Sequence, residues 1–263
     1  MIKLFDSLLH PTLSGKWPSS QLPCSFEHIS SLLQSQKFIG GCAVGLWNVE
    51  QYDHHKFIQR CSEFPSMVPI AGVEPFSNNL TFEMQQIKQL GFKGVKIHPR
   101  KSRFNLHKDE AVAFKIFSTA ASLDLPVFLC TFASEKLGKM PSSDPYWDLV
   151  KLLNKTPETK LILLHGGVTQ LLQYAELVSQ NANLLLDLSF TLQRYKDSSL
   201  FADMKLLAQQ LDQRICIGSD YPDYTPARTY EITCKLCTDL PKEKINNICY
   251  KNLMRFLKLK CPT

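Results

Sequence analysis

Residues 79–98 read NLTFEMQQIKQLGFKGVKIH, and they contain both halves of the pattern on which the fold depends. Positions 79–90 have the spacing of a helix, whereas Gly94–His98 is a short apolar run typical of a strand. Lys96 and His98 share one face of this run, because side chains alternate along a strand. The segment therefore predicts a helix followed by a buried strand that carries polar groups towards its carboxyl end.

The same alternation of strand and helix recurs along the whole chain and gives eight units. The predicted strands are Ile2–His10, Phe38–Trp47, Met67–Glu74, Gly94–His98, Pro126–Phe132, Lys160–His165, Asn183–Phe190 and Arg214–Asp220. The predicted helices span about 25–36, 50–63, 79–90, 108–123, 144–155, 168–180, 199–211 and 226–239, with a terminal helix over about 242–259. These strands are apolar through most of their length, which is typical of parallel strands covered on both faces.

Eight strand–helix units in a chain of 263 residues indicate the fold. We predict an α/β protein built as a closed (β/α)8 TIM-type barrel, with one domain over residues 1–263. A doubly wound open sheet is the competing interpretation, but no G-x-G-x-x-G turn follows the first strand. The segment HPTLSGKWPSSQLP, residues 10–23, is long for a strand-to-helix loop and is predicted to cover the mouth of the barrel.

Composition and charge narrow the classes of partner. The chain is 44% hydrophobic and 21% charged, as expected of a globular protein with a large core. The net charge is +6 and the basic residues are spread along the chain, so we expect no nucleic-acid partner. No apolar run reaches the roughly 18 residues of a membrane span, so we expect no membrane association. The nine irregularly spaced cysteines indicate free thiols and a cytoplasmic protein.

Polar residues stand at the carboxyl ends of several predicted strands, where barrels of this kind have their active sites. They are His10, Lys96, His98, His165 and Asp220. A buried strand offers few places for such side chains, so each of them needs a partner or a function. Taken singly, each also fits a structural role, such as a buried histidine or a turn former. Their joint position at one rim predicts a functional site.

Three further polar residues at strand ends have two interpretations each. Glu74 ends the third predicted strand, and Asp187 and Ser189 lie near the end of the seventh. Each of them either faces the site or stabilises the local backbone.

Six segments taken together have a recognisable order and spacing. They are FDSLLHP (5–11), GFKGVKIHP (91–99), LDLPVFLCT (123–131), LILLHGG (161–167), LLLDLS (184–189) and ICIGSDYP (215–222). This set resembles the amidohydrolase superfamily, and more narrowly the amidohydrolase-2 group of semialdehyde decarboxylases and pyrone-dicarboxylate lactonases. The resemblance implies a TIM-type barrel, commonly one divalent metal ion at its mouth, and hydrolysis or non-oxidative decarboxylation of small carbonyl compounds.

The resemblance also implies a set of metal ligands, of which this sequence keeps only part. The first strand of the family normally carries His-x-His, which matches Leu8 and His10, and the fifth normally ends in a His, which matches Cys130. His165 and Asp220 match positions that are retained. Zinc accepts thiolate, imidazole and carboxylate ligands. Two alternatives therefore stay open: one zinc ion held by His10, Cys130, Asp220 and His165, or no metal.

The activity implied by the resemblance is hydrolysis of a lactone or amide in a small anionic carbonyl compound. Asp220 would be the general base and His165 would orient or polarise the substrate. The expected ligands of the anionic group are Lys96, His98 and Arg100.

Three alternatives to this activity are kept open. They are a metal-dependent non-oxidative decarboxylase, a non-catalytic barrel that has lost its metal site, and a metal-dependent deoxyribonuclease. Leu8 in place of a histidine makes the deoxyribonuclease the least supported of the three. The oligomeric state stays open between a monomer and a homodimer of paired barrels.

Overall fold

A computed structural model describes residues 2–36, 38–132 and 144–261. Its strands are β1 Leu4–Leu9, β2 Phe38–Val44, β3 Met67–Gly72, β4 Val95–Ile97, β5 Val127–Cys130, β6 Leu161–Leu164, β7 Leu184–Asp187 and β8 Ile215–Cys216. Its α-helices are α1 Phe26–Ser35, α2 His54–Ser62, α3 Leu80–Leu90, α4 Pro99–Ser102, α5 Glu110–Ser122, α6 Pro145–Lys155, α7 Leu171–Gln180, α8 Thr191–Arg194, α9 Leu200–Gln210, α10 Pro226–Leu236, α11 Lys242–Asn246 and α12 Asn252–Phe256.

The eight strands form one parallel sheet in the order of the chain, from β1 to β8. The chain after β8 returns to the side of β1. There the amide of Ser7 donates to the carbonyl of Ile217 at 3.0 Å, and the amide of Asp220 donates to the carbonyl of Leu8 at 2.9 Å. The sheet is thus a nearly closed barrel with helices between its strands, which confirms the predicted fold class.

The barrel wall is apolar because both of its faces are covered. All residues of β5, β6 and β7 are buried. Outside the wall, α5 buries Ala113, Ile116, Phe117 and Ala120, the spacing of one helix face. This pattern explains why the strands read as nearly continuous apolar runs in the sequence.

The chain after α10 differs from the single long helix that the sequence predicts. It consists of α11, a π-helical turn over Asn247–Lys251 and α12. The side chain of Asn252 donates to the carbonyls of Asp212 and Ile215 at 2.6 and 2.8 Å, which fastens this segment to the start of β8. None of the helices in the described ranges is both long and apolar enough to cross a membrane.

Candidate active site

The predicted site residues lie where the strands end. His10 follows β1, Cys130 is the last residue of β5, and His165 follows β6 directly. His165 and Asp220 have positive φ angles of 67° and 58°. Non-glycine residues rarely adopt this conformation, and when they do they often lie at functional sites. Phe190, beyond β7, shares the feature with a φ of 62°.

Asp220 lies between two histidines. Its Oδ1 is 3.4 Å from His10 Nε2, and its Oδ2 is 3.9 Å from His165 Nδ1. The other ring nitrogen of His10, Nδ1, donates to the carbonyl of Val44 at 2.9 Å and fixes the ring. All three side chains are buried, at 8%, 6% and 12% exposure for His10, His165 and Asp220. The arrangement holds a carboxylate at the centre of the site with imidazoles on both sides.

The carboxylate of Asp187 fixes the backbone at His165. It accepts the backbone amide of His165 at 3.3 Å and the hydroxyls of Ser7 and Ser189. The Ser189 hydroxyl also lies 3.2 Å from His165 Nδ1. Asp187 and Ser189 are fully buried, so they support the site from the barrel interior.

The charges of the site shift the pKa values of its members. Burial raises the pKa of the Cys130 thiol, but the positive charges of His165 and Lys96 outweigh burial and lower the pKa to about 6. Burial lowers the pKa of His165, but Asp220 and Cys130 outweigh it and raise this pKa to about 9. Burial also opposes ionisation of Asp220, yet His165 and His10 hold its pKa well below the usual range. At neutral pH the site therefore contains an imidazolium, a carboxylate and a thiolate.

Lys96 and His98 belong to the same site as this carboxylate. Lys96 is 2% exposed, and among the described residues no carboxylate lies within 4.0 Å of its ammonium. Burial lowers the pKa of Lys96, and burial together with Lys96 and Arg100 holds the pKa of His98 well below its usual value. His98 Nδ1 is a buried nitrogen without a hydrogen-bond partner in the described part of the chain. Both groups have bonding capacity left for a ligand.

A cavity of about 280 Å³ joins these side chains, and we call it the polar cavity. Its wall includes His10, Trp17, Lys96, His98, His165 and Asp220. Trp17 comes from the long segment after β1, and its ring stacks on His10 at 5.8 Å between centroids. The length of that segment was the only sequence signal for this contact. Phe132, Phe190 and Asp223 also line the cavity, and sequence reasoning did not identify them.

The structure brings most of the predicted site residues into this one cavity. His10, Lys96, His98, Arg100, His165 and Asp220 all line it. Cys130 does not line it, although the charge of His165 lowers the pKa of its thiol. Glu74 lies apart and accepts the amide of Phe76 at 3.3 Å within its own turn.

The donor groups do not assemble into a metal site. A catalytic zinc ion takes three protein ligands as a rule. Within residues 2–36, 38–132 and 144–261, no three His, Cys, Asp or Glu side chains are grouped to hold a metal ion. Leu8, where the resemblance implies a histidine, is a fully buried apolar residue. The residues present therefore do not fit the metal that the family resemblance implies.

The sequence matches the amidohydrolase family model over residues 56–259. This match covers most of the chain, so the protein belongs to the amidohydrolase family, in its amidohydrolase-2 group. No protein of curated function matches the sequence.

Solved structures of low identity share the fold. An uncharacterised TIM-barrel protein from Bordetella bronchiseptica has a TM-score of 0.79 and 17% identity, over 98% of this chain and 99% of that one. A probable 2-pyrone-4,6-dicarboxylic acid hydrolase from Acinetobacter baumannii, with citric acid bound, has a TM-score of 0.69 and 16% identity, over 97% and 99%. The 5-carboxyvanillate decarboxylase LigW from Sphingomonas paucimobilis has a TM-score of 0.69 and 12% identity, over 99% and 100%.

Proposed function

We propose that the protein is a hydrolase that opens a lactone or cleaves an amide in a small anionic carbonyl compound, without a metal ion. The observation that carries the proposal is the polar cavity itself. It brings together the carboxylate of Asp220, the buried ammonium of Lys96 and the buried, unpaired Nδ1 of His98 among the described residues. The hydrolase neighbour from Acinetobacter baumannii, with citric acid bound, supports an anionic ligand in a barrel of this kind.

The anionic group of the substrate would bind to Lys96, His98 and Arg100. An anion beside Lys96 compensates the buried ammonium, for which the described carboxylates lie more than 4.0 Å away. It also brings negative charge towards Asp220 and so raises the pKa of that carboxyl from its depressed value. Substrate binding therefore makes Asp220 a stronger base at the moment when a base is needed.

The chemical step uses the two remaining side chains. Asp220 takes a proton from water, and the water oxygen forms a bond to the substrate carbonyl carbon. The imidazolium of His165, with its pKa of about 9, stabilises the oxyanion and then gives its proton to the departing oxygen or nitrogen as the carbon–heteroatom bond breaks. His10 keeps the Asp220 carboxylate oriented through its contact at 3.4 Å.

Replacement of Asp220 tests this function. We expect the wild-type protein to hydrolyse members of a panel of carboxylated lactones and amides, and chromatography of the products follows the reaction. Asp220→Asn removes the base and should lower kcat by about 10²- to 10⁴-fold, the usual contribution of a general base. Asp197→Asn, on an exposed carboxylate that does not line the polar cavity, is the matched control and should leave kcat unchanged.

The same experiment separates the alternatives. Release of carbon dioxide from carboxylated aromatic substrates, without ring opening, would identify a decarboxylase instead. Equal activities of wild type, Asp220→Asn and His165→Asn on every substrate would identify a non-catalytic barrel.

A further inference from the structure

A second cavity, of about 430 Å³, lies beside the polar cavity, and we call it the apolar cavity. Apolar side chains of β5, α6, α7 and the segment after α4 form most of its wall: Phe104, Leu106, Leu129, Leu149 and Tyr174. Its volume is within the range of about 300–1,000 Å³ that is usual for sites of small molecules.

The two cavities meet at one pair of side chains. Arg100 and Phe132 line both of them, and the Arg100 guanidinium carbon lies 4.4 Å from the centre of the Phe132 ring. Phe132 makes a second connection, because its ring lies 6.5 Å from the imidazole of His165 in the polar cavity, measured between centroids. A ligand that reaches His165 is therefore next to the entrance of the apolar cavity.

On the wall of the apolar cavity, Asp148, Asn105 and Thr131 are already paired, whereas Arg100 and Arg103 are exposed and keep their charged ends in water. Asp148 contacts His107 Nδ1 at 3.2 Å, and the side-chain oxygen of Asn105 accepts the amides of His107 and Lys108 at 2.9 Å each. A polar ligand would form few additional hydrogen bonds with these groups. A hydrocarbon would bury the apolar side chains and displace water from them, which is favourable.

We propose that the substrate is an amphiphile, with its anionic carbonyl head in the polar cavity and an apolar tail in the apolar cavity. This inference rests on the proposed function for the head group only. Arg100 and Phe132 form the neck between head and tail. The guanidinium faces the anion while the aromatic ring faces the hydrocarbon.

Binding of unbranched alkanoates tests the proposal, because they carry a carboxylate head and a tail of adjustable length. We expect the dissociation constants of butanoate, hexanoate, octanoate and decanoate, measured by calorimetry, to fall with each added methylene until the cavity is full. Burial of a methylene contributes about 0.8 kcal/mol, which corresponds to roughly fourfold in affinity.

Two variants locate the tail and the head. Leu106→Trp fills the apolar cavity from a half-buried position. In this variant, affinity should no longer increase with chain length, while the affinity for butanoate should be unchanged. Lys96→Met removes the contact with the carboxylate head and should lower the affinity for all four alkanoates by the same factor. Leu206→Trp, at an exposed leucine of α9 outside both cavities, is the matched control and should bind as wild type does.

The outcomes distinguish this inference from the proposed function. Equal affinities for all chain lengths would overturn the amphiphile and leave the anion site intact. A chain-length gain that persists in Leu106→Trp would also overturn it, because the tail would then lie elsewhere. If no alkanoate binds at all, both the tail site and the proposed anion site are wrong.

Discussion

Asp6 is a carboxyl group that the barrel has removed completely from water. Its Oδ1 accepts the amides of Leu8 and Ser219 at 3.0 and 2.9 Å, but its Oδ2 has no partner among the described residues. Burial raises the pKa of Asp6 to about 7, although the two amides oppose this rise. Asp6 does not line the polar cavity, so its expected effect is on stability.

Replacement of Asp6 by asparagine should change how stability depends on pH. The folded protein holds the Asp6 proton up to about pH 7, whereas an unfolded chain releases it near 3.8. The unfolding free energy of the wild type therefore falls as pH rises between these values and is constant above them. Urea denaturation measures the unfolding free energy of both proteins. Between pH 5 and pH 8, the value for D6N should rise by about 3 kcal/mol relative to that of the wild type. Parallel pH profiles of the two proteins would contradict this.

Single residues were predictable where polarity conflicts with position. His10, Lys96, His98, His165 and Asp220 stand out in the sequence because polar side chains are unusual at the ends of apolar strands. Contacts made by ordinary residues give no such signal. Trp17 and Phe132 reach the polar cavity only because of the paths of their loops, and one sequence does not encode those paths in any readable periodicity.

The turn after β6 is the element that presents His165. Its first residues are His165, Gly166 and Gly167, all with positive φ. The amide of Gly167 donates to the Thr131 hydroxyl at 2.8 Å, which ties the turn to the end of β5. A β-carbon at Gly167 would lie 2.2 Å from the ring of Tyr174, so this position has no room for a side chain.

Alanine at Gly167 should destabilise the protein more than alanine at Gly91. Both glycines have positive φ, at 73° and 97°, but a β-carbon at Gly91 meets nothing within 4 Å. Gly91→Ala should therefore show only the backbone penalty of about 1 kcal/mol, while Gly167→Ala adds about 1–3 kcal/mol of steric overlap. Urea denaturation of both variants gives the comparison. Equal decreases in the unfolding free energy of the two variants would show that Tyr174 moves aside and that this contact does not fix the turn.

At the scale of elements, the sequence predicted all eight strands and every long helix before the terminal segment. The errors occur where backbone geometry is irregular. β8 has two residues instead of the predicted seven, because the chain leaves the sheet to place Asp220 at a positive φ. The short helices α4 and α8 have four residues each, too few for helical periodicity to appear. The π-helical turn likewise leaves no periodic signal in the terminal segment.

At the scale of the whole molecule, the fold was predictable because every strand–helix unit repeats the same pattern. The charge state of the site was not predictable, because it depends on distances between strands that are far apart in sequence. The site combines the cations Lys96, Arg100 and His165 with the anion Asp220 and the acidic thiol of Cys130. Among the described residues, no three His, Cys, Asp or Glu side chains are grouped to hold a metal ion.

Removal of metal ions should therefore leave the protein unchanged. A ligand that binds only the folded state raises stability by about 2.7 kcal/mol at a concentration of 100 times its Kd, so a resident zinc ion would be visible in the Tm. We expect the same Tm, by scanning calorimetry, for protein as purified, after a chelator, and after chelator followed by zinc. One equivalent of zinc in the purified protein, with a Tm that falls on chelation and a Cys130→Ala variant that lacks the metal, would contradict the metal-free mechanism. In that case Cys130 would act as a thiolate ligand of the zinc ion.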